Sequence, residues 1–364
     1  MTSPAAMQEF ARRHVVGRDL QSDAFPRDLW RAMGEAGLFR IGLREEFGGT
    51  GGGYRAIAEA EKMLVAEGGS LGFGLSWTGH QLTALWFIDG FANDAQRAEY
   101  LPRLASGELT ASVAISEPGI GAHPKHLKAT ARRDGEHFVI DGEKAFITNG
   151  PIADLFIVLA ITSSEEGRNR FSAFLVPKNT PGLAIVPTKP LGFLKPSPHC
   201  QLKLENCRVP ASSMLGSEGT AFERMSLRFR DVEDGVAAGG MIGIVDHLLR
   251  RVARKLDGEQ PAETMAVLGE LAALQALIAP VLPAVVDPLD GGKGGKDAAA
   301  QLVGLRLTVQ RMLALVEMLK LPQDETIAAI LNDLRGSLNI ARGPRALRQA
   351  RLGSDLIARS RASS

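Results

Sequence analysis

Residues 111–158 read ASVAISEPGIGAHPKHLKATARRDGEHFVIDGEKAFITNGPIADLFIV. Ala111, Val113 and Ile115 alternate with small or polar residues until Glu117-Pro118-Gly119 breaks the run. His137-Phe138-Val139-Ile140 is a short, mostly apolar run. It ends in Asp141-Gly142, a dipeptide suited to a hairpin turn. Phe146-Ile147-Thr148 follows and is closed by Asn149-Gly150, a second turn signal. The pattern predicts two strands with glycine-rich ends, lying side by side as a rigid shelf for a flat ligand.

The flanks carry a different pattern. Before residue 108 the chain predicts helices and loops. Leu29, Trp30, Met33 and Ala36, stopped by Gly37, fit one amphipathic helix. Ile57, Ala60, Met63 and Leu64 fit a second. Leu71 to Ile88 is apolar enough for a buried helix, and Ala95 to Leu104 suits a short surface helix. The glycine-rich run Glu45 to Gly53 lacks a P-loop lysine and reads as a connector. Residues 108–216 predict short strands, including 156–159, 172–177, 183–186 and 202–204, in a small barrel or sandwich. From residue 217 the helical pattern returns. No Phe, Tyr or Trp occurs after Phe229, so that core must be aliphatic, as in a plain helix bundle. The expected fold is α+β and multidomain: helices over 1–107, a β domain over 108–216 and a helix bundle over 217–364.

Composition narrows the function. The 364 residues suffice for two or three domains. Hydrophobic content of 45% and charged content of 23% are ordinary for a globular chain. A net charge of +1 lacks the basic footprint of a nucleic-acid binder. Cys200 and Cys207 have neither zinc nor redox spacing and read as idle thiols. No apolar run approaches the roughly 20 residues of a membrane span. The first residues lack a signal-peptide core, so the chain reads as cytoplasmic. There is no HExxH, and Pro124 between His123 and His126 opposes a helical metal pair. Gly74-Leu75-Ser76-Trp77-Thr78 lacks the second glycine of a nucleophile elbow. Residues 287–297 contain Gly and Lys but fail the Walker spacing at Asp290 and Asp297, and read as an interhelical loop. Arg342, Arg345, Arg348 and Arg351 recur every third residue, either as a solvated face or as a contact for phosphate or an acidic partner.

Several words in this chain, in this order, resemble the acyl-CoA dehydrogenase family. Glu45-Glu46-Phe47-Gly48-Gly49 looks like its P-E-x-x-G-G loop, and Tyr100 to Glu108 is similar to its Y-L-P-x-L-x-x-G run. Ile115-Ser116-Glu117-Pro118-Gly119-Ile120-Gly121 resembles the x-T-E-P-x-A-G-S-D signature as far as its second glycine. Asp141 to Gly150 matches N-G-x-K-x-W/F-I-T-N-G almost fully. The resemblance implies FAD-dependent α,β-dehydrogenation of an acyl-CoA or other acyl thioester, with electron-transfer flavoprotein as acceptor. It implies that Ile115, Ser116, Gly121, Phe146, Ile147 and Thr148 meet the flavin. It also implies an oligomer, either of identical chains or mixed with a paralogue, and no nucleic-acid or membrane partner.

The last domain departs from the family pattern. Ala122 and His123 replace the Ser-Asp that closes the first signature. Ile340-Ala341-Arg342-Gly343-Pro344 places Arg342 where the family's usual base, the Glu of Y-E-G-T, would stand, and arginine is no base at neutral pH. Some branches carry the base on the first long helix of this domain, and there Glu233 falls in place, with Asp234 where an arginine is common. Arg254-Lys255-Leu256-Asp257-Gly258 keeps the arginine and glycine of the diphosphate-binding R-x-x-F-G motif but puts Asp257 for phenylalanine. The Q-x-H-G-G-x-G run is absent. Glu233 as base and Arg254 as phosphate contact define the enzyme expectation. Weak or lost FAD binding, in a non-catalytic subunit or acyl-thioester-binding partner of a competent paralogue, is the alternative.

Overall fold

The computed structural model describes residues 3–119, 121–256, 258–292 and 296–362. Ile120, Asp257 and the Lys293-Gly294-Gly295 part of the interhelical loop lie outside them. The chain opens with α1 (Pro4–Phe10), α2 (Arg27–Glu35), α3 (Gly53–Gly68), α4 (Leu71–Leu82, its axis continued by a wider turn over Thr83–Asp89) and α5 (Asp94–Ser106). Local chemistry sets the ends of α5. Asn93 and Gln96 form a reciprocal capping box, and Gly107 takes φ +76° just past the helix.

Eight strands follow: β1 (Ala111–Ala114), β2 (Thr130–Asp134), β3 (His137–Thr148), β4 (Leu155–Glu165), β5 (Arg168–Pro177), β6 (Leu183–Pro187), β7 (His199–Pro210) and β8 (Met214–Leu215). They form one sheet in the order β6-β7-β3-β2-β4-β5-β8, with β1 added parallel to β4. Alternation along β4 explains why both faces are covered. Leu155, Ile157 and Leu159 pack with Phe87, Leu101 and Leu104 of the helices. Phe156, Val158 and Ala160 point the other way, into a core with Phe138, Phe174 and Leu202. Phe138 on β3 and Phe174 on β5 pack as tilted rings with centroids 4.9 Å apart. Their strands would lie about 14 Å apart in a flat sheet, so the sheet curls over its own core. Cys200 and Cys207 are buried there as free thiols, their pKa values pushed up to about 12 and about 11 by burial.

Two expectations for the opening stretch are corrected. Asp141-Gly142 is not a hairpin turn, because β3 runs unbroken from His137 to Thr148. The reversal between β2 and β3 lies at Gly135-Glu136. The glycine at 142 instead serves a bulge against β7, at φ +141°, where a Cβ would meet Ala129 at 2.7 Å. The two predicted strands are therefore one long, bent strand. The predicted loop over 287–297 also starts late, since Asp287 to Asp290 complete a helix.

The chain ends in α6 (Leu227–Val236), α7 (Ala238–Lys255), α8 (Ala262–Ile278), α9 (Val281–Asp290), α10 (Lys296–Met318), α11 (Glu325–Asn339) and α12 (Arg342–Ala362). These do not form a separate core. Residues of α1 to α4 and of α6 to α11 bury one shared cluster, from Met7 to Leu334. Gly239 permits this closeness, because a Cβ there would sit 2.2 Å from the Ala58 carbonyl oxygen of α3. The Asp290 carboxylate accepts from the Tyr54 and Arg55 N–H groups at 2.7 and 3.1 Å, closing the start of α3.

The expectation that no stretch has membrane-spanning character is also corrected. Ala262–Asp290 and Ala298–Met318 are long and apolar enough by length and composition, with mean hydropathies of 1.9 and 1.2. Acidic residues as sparse as Glu263 and Glu270 interrupt the first run without making it polar. Only 22% of that window is buried, and Met265 and Leu277 are 54% and 66% exposed on α8.

Glu61 of α3 is buried in the shared core, where a Cβ on Gly240 of α7 would come within 2.6 Å of its Oε1. Burial pushes its pKa up to about 8 from 4.5. The folded state thus holds a proton that the unfolded chain releases between those values. Stability is expected to fall as pH rises from 4.5 to 8 and to flatten above 8, and Glu61→Gln should flatten the slope. Urea unfolding across that range checks this; an unchanged slope in the variant would refute the assignment.

Candidate functional site

The site is built around a buried ion pair that joins the two family-like words. Glu117, in the loop after β1, and Lys144, in β3, meet at 3.0 Å with side chains 4% and 0% exposed. Both are saturated. Glu117 accepts from the Lys128 and Ala129 N–H groups at 2.8 and 2.9 Å, and the Lys144 ammonium also donates to the Ile115 carbonyl at 3.2 Å. Burial lowers the Lys144 pKa and the adjacent Glu117 carboxylate opposes that shift. The Ala145 N–H donates to the Ser116 carbonyl at 2.9 Å, adding a backbone link. Neither member of the pair was singled out from the sequence, although both lie inside the matched words. A Glu and a Lys 27 residues apart carry no periodic signal of contact.

Immediately after Lys144 the register of β3 on β7 slips, with Lys144 opposite Leu202 but Ile147 opposite Cys200. The extra residue forms a bulge in which Phe146 takes φ +57° and its ring stays 64% exposed. A bulky residue in the left-handed region costs on the order of 1–2 kcal/mol, and an uncovered aromatic adds to that cost. Both features leave a flat apolar face uncovered. Ile147 points the opposite way and is 1% exposed in the sheet core, so its side chain has no access to that face. Ile115 and Ser116 are half-buried at the β1 exit. Gly121 closes a bridge to Glu117 at φ +62°, with nothing within 4 Å of where a Cβ would lie.

Thr148 is half-buried, and its hydroxyl lies 3.2 Å from Nε2 of His199 on β7. The His199 Nδ1 lies 3.0 Å from the Ser197 carbonyl, which can only accept, so Nδ1 carries the proton. Burial lowers the His199 pKa. In the neutral ring Nε2 accepts the Thr148 proton, leaving the Thr148 oxygen to offer its lone pairs outward. Nothing in the spacing of His199 marks it from sequence. Asn149, at φ +63°, ties this end of the strand to α4 through its Nδ2 and the Ser76 carbonyl, at 2.6 Å.

Glu233 lies on α6, outside the sheet. Its side chain is exposed, yet the surrounding protein desolvates the carboxyl enough to raise its pKa. Arg230 opposes the shift and Asp234 adds to it. The Asp234 charge is itself countered by Arg306 at 2.8 Å and Arg348 at 2.6 Å. Arg345 and Arg348 of the arginine series thus turn inward rather than into solvent, while Arg342 is exposed at the start of α12. Arg254 is exposed in the last turn of α7, roughly 24 Å along that helix from Ala238, the first residue after α6 and its linker. The structure therefore gathers Ile115, Ser116, Gly121, Phe146 and Thr148 on one shelf, and carries Arg254 well away from the Glu233 end of α7. Among the described residues no cluster of three or more His, Cys, Asp or Glu could hold a metal ion.

The chain matches two family models, the acyl-CoA dehydrogenase N-terminal domain over residues 4–108 and the middle domain over 112–207. It is 30% identical to an isovaleryl-CoA dehydrogenase of Arabidopsis thaliana over 294 residues, covering 78% of this chain and 71% of that one. It is 34% identical over 244 residues to its counterpart in Oryza sativa and 32% identical over 250 residues to an acyl-CoA dehydrogenase of Bacillus subtilis. Those alignments cover 66% and 67% of this chain and span only 59% and 64% of the two relatives. In structure it is similar to butyryl-CoA dehydrogenase from Megasphaera elsdenii, with a TM-score of 0.83 at 20% identity over 97% of each chain. The prolyl acyl carrier protein oxidase AnaB gives 0.84 at 22% identity, also over 97% of each chain.

Removing one member of the buried pair tests its role. Lys144→Met should destabilise the fold by about 3–5 kcal/mol, because it strands a buried carboxylate. Combining it with Glu117→Gln should recover part of that loss. A single-variant cost below about 1 kcal/mol in urea unfolding would show that the pair holds nothing together.

Proposed function

The chain belongs to the acyl-CoA dehydrogenase family, and from that premise we propose that it is a flavin-dependent oxidoreductase acting on the CH–CH group of an acyl thioester. The observation that carries this reading is Phe146, held with its ring bare on a strained bulge that a buried ion pair fixes from beneath. The shelf fits the ring half of FAD: an open apolar face at Phe146, an oxygen at Thr148 and uncrowded backbone at Gly121. When bound, FAD would take up the β hydrogen of the substrate as hydride.

The chain's own residues supply the rest. Phe146 packs against the ring, and Ser116 and Gly121 border it. Thr148 borders the same edge of the ring with an oxygen whose own proton is donated to His199. Glu233 removes the α proton. Its raised pKa makes the ionised carboxylate a stronger base than an ordinary one, because that form gains more by taking up a proton. Arg254, remote along α7, is assigned to the cofactor's diphosphate, and in that role it serves a neighbouring subunit. The exposed apolar side of α8, with Met265 and Leu277, is the surface we assign to subunit association. Electron-transfer flavoprotein is the proposed electron acceptor. Leu277→Glu should shift the mass measured by light scattering toward the monomer; an unchanged mass would remove α8 from the interface.

The second reading, a non-catalytic subunit with weak or lost FAD binding, is favoured by Arg342 standing where the family's usual carboxylate would be. Absorption spectra separate the two. Protein supplied with FAD should show a stoichiometric flavin band that bleaches on adding an acyl-CoA. Protein that takes up no FAD would overturn the enzyme reading. Glu233→Gln should slow bleaching by orders of magnitude with FAD uptake intact. Because the Glu233 pKa is raised and only its ionised form is a base, bleaching by the unmodified protein should accelerate with rising pH through a midpoint above 4.5. A rate indifferent to both the variant and pH would remove Glu233 from the mechanism.

A further inference from the structure

α10 and α12, with the end of α11, line an open surface cavity of about 300 Å³ beside the Asp234 cluster. Its polar wall consists of Arg306, Gln310, Arg342, Arg345 and Gln349, with no carboxylate among the described lining residues. The rest is aliphatic, including Val303, Leu307 and Leu338. A second cavity of similar size, about 310 Å³, is different in kind. There Arg103 pairs with Glu108 and Lys178 with Asp154, so its charges cancel.

Cancellation is incomplete between α10 and α12. Arg306 takes Oδ1 of Asp234 and Arg348 takes Oδ2, while Arg348 also holds Asp231 at 2.8 Å. Arg345 comes last, at 3.6 Å from Oδ1. Its Nη1 donates to the Ser337 and Leu338 carbonyls at 2.8 and 3.3 Å, and its buried Nε has no partner. Among the described residues no carboxylate stands within ion-pair distance of Arg342. A half-buried guanidinium with an unmade hydrogen bond is costly, and an incoming acceptor would remove that cost. Burial and the neighbouring Arg306 lower the Arg345 pKa, as expected where positive charge is in excess.

We propose that this cavity binds a small organic anion, a carboxylate or phosphate on a short aliphatic stem. Arg342 and Arg345 hold the anionic head in a fork geometry. Gln310 and Gln349 donate from the sides, and the stem lies along Val303, Leu307 and Leu338. None of the residues assigned to the flavin shelf lines this cavity, so its occupancy can be read without FAD.

Calorimetric titration of the full-length chain, without FAD and at constant ionic strength, tests this with inorganic phosphate, acetate and butyrate against chloride. Saturable binding of phosphate or butyrate is expected, with none for chloride. Butyrate should exceed acetate by up to about fourfold per added methylene. Arg342→Ala, at an exposed position, should weaken binding about tenfold or more with an unchanged circular dichroism spectrum. Gln310→Leu should weaken it less. Binding of phosphate alone would assign the head group as phosphate, and binding of butyrate alone would assign it as carboxylate; both support the site. No saturation by any of the three anions, or equal binding by Arg342→Ala, overturns it. FAD uptake, followed separately by absorbance, should be the same in Arg342→Ala, so failure here and failure of the flavin reading are distinguishable.

Discussion

The contact between Glu117 and Lys144 determines what the sheet can present. Two opposite charges buried together are tolerable only when further hydrogen bonds support them, and here Glu117 accepts from two backbone N–H groups and Lys144 also donates to the Ile115 carbonyl. The satisfied pair fixes the loop after β1 against β3 and points Lys144 inward. With Lys144 inward and Ile147 also committed to the core, the surplus residue between them has to be extruded. That residue is Phe146. Its strained backbone and uncovered ring are the geometric remainder of two buried neighbours, and the exposed shelf proposed for the ligand is the result.

Much of this was legible in the sequence, for reasons that can be stated. Strand alternation along β4 and the helical spacing of Leu29, Trp30 and Met33 are local, so the period alone reveals them. The order of the signature words around Ser116 and Thr148 pointed to one shelf. The error at Asp141-Gly142 came from a turn dipeptide used in a bulge. A type I′ turn needs a glycine that can take positive φ, and so does the bulge at Gly142, so the residues cannot tell the two apart. The contacts between Glu117 and Lys144 and between Thr148 and His199 are set by how the sheet curls, which no short-range pattern encodes. The inward turn of Arg345 and Arg348 is a tertiary fact of the same kind, since a three-residue spacing is shared by solvated and buried helix faces.

In the last domain charge, rather than shape, distinguishes the chain. Asp234 gathers guanidiniums from α10 and α12 onto α6, and Glu233 sits at the edge of that field. Its proton affinity is a balance between enclosure, which holds the proton on, and Arg230 and Arg345, which help to release it. One helical turn therefore carries two acidic residues with different roles. Asp234 is committed to neighbouring cations, whereas Glu233 keeps an accessible carboxyl.

The shared helical core has a consequence for how the chain is made. α1 to α4 emerge first, but the residues they bury against begin at α6, and the carboxylate that closes the start of α3 belongs to Asp290, 236 residues beyond Tyr54. During synthesis the β domain can complete its own core while those first helices still have exposed apolar faces. At about 5–20 residues per second the wait lasts on the order of ten seconds or more. The apolar faces of the first quarter of the polypeptide therefore stay uncovered until the helices from α6 onward have been made.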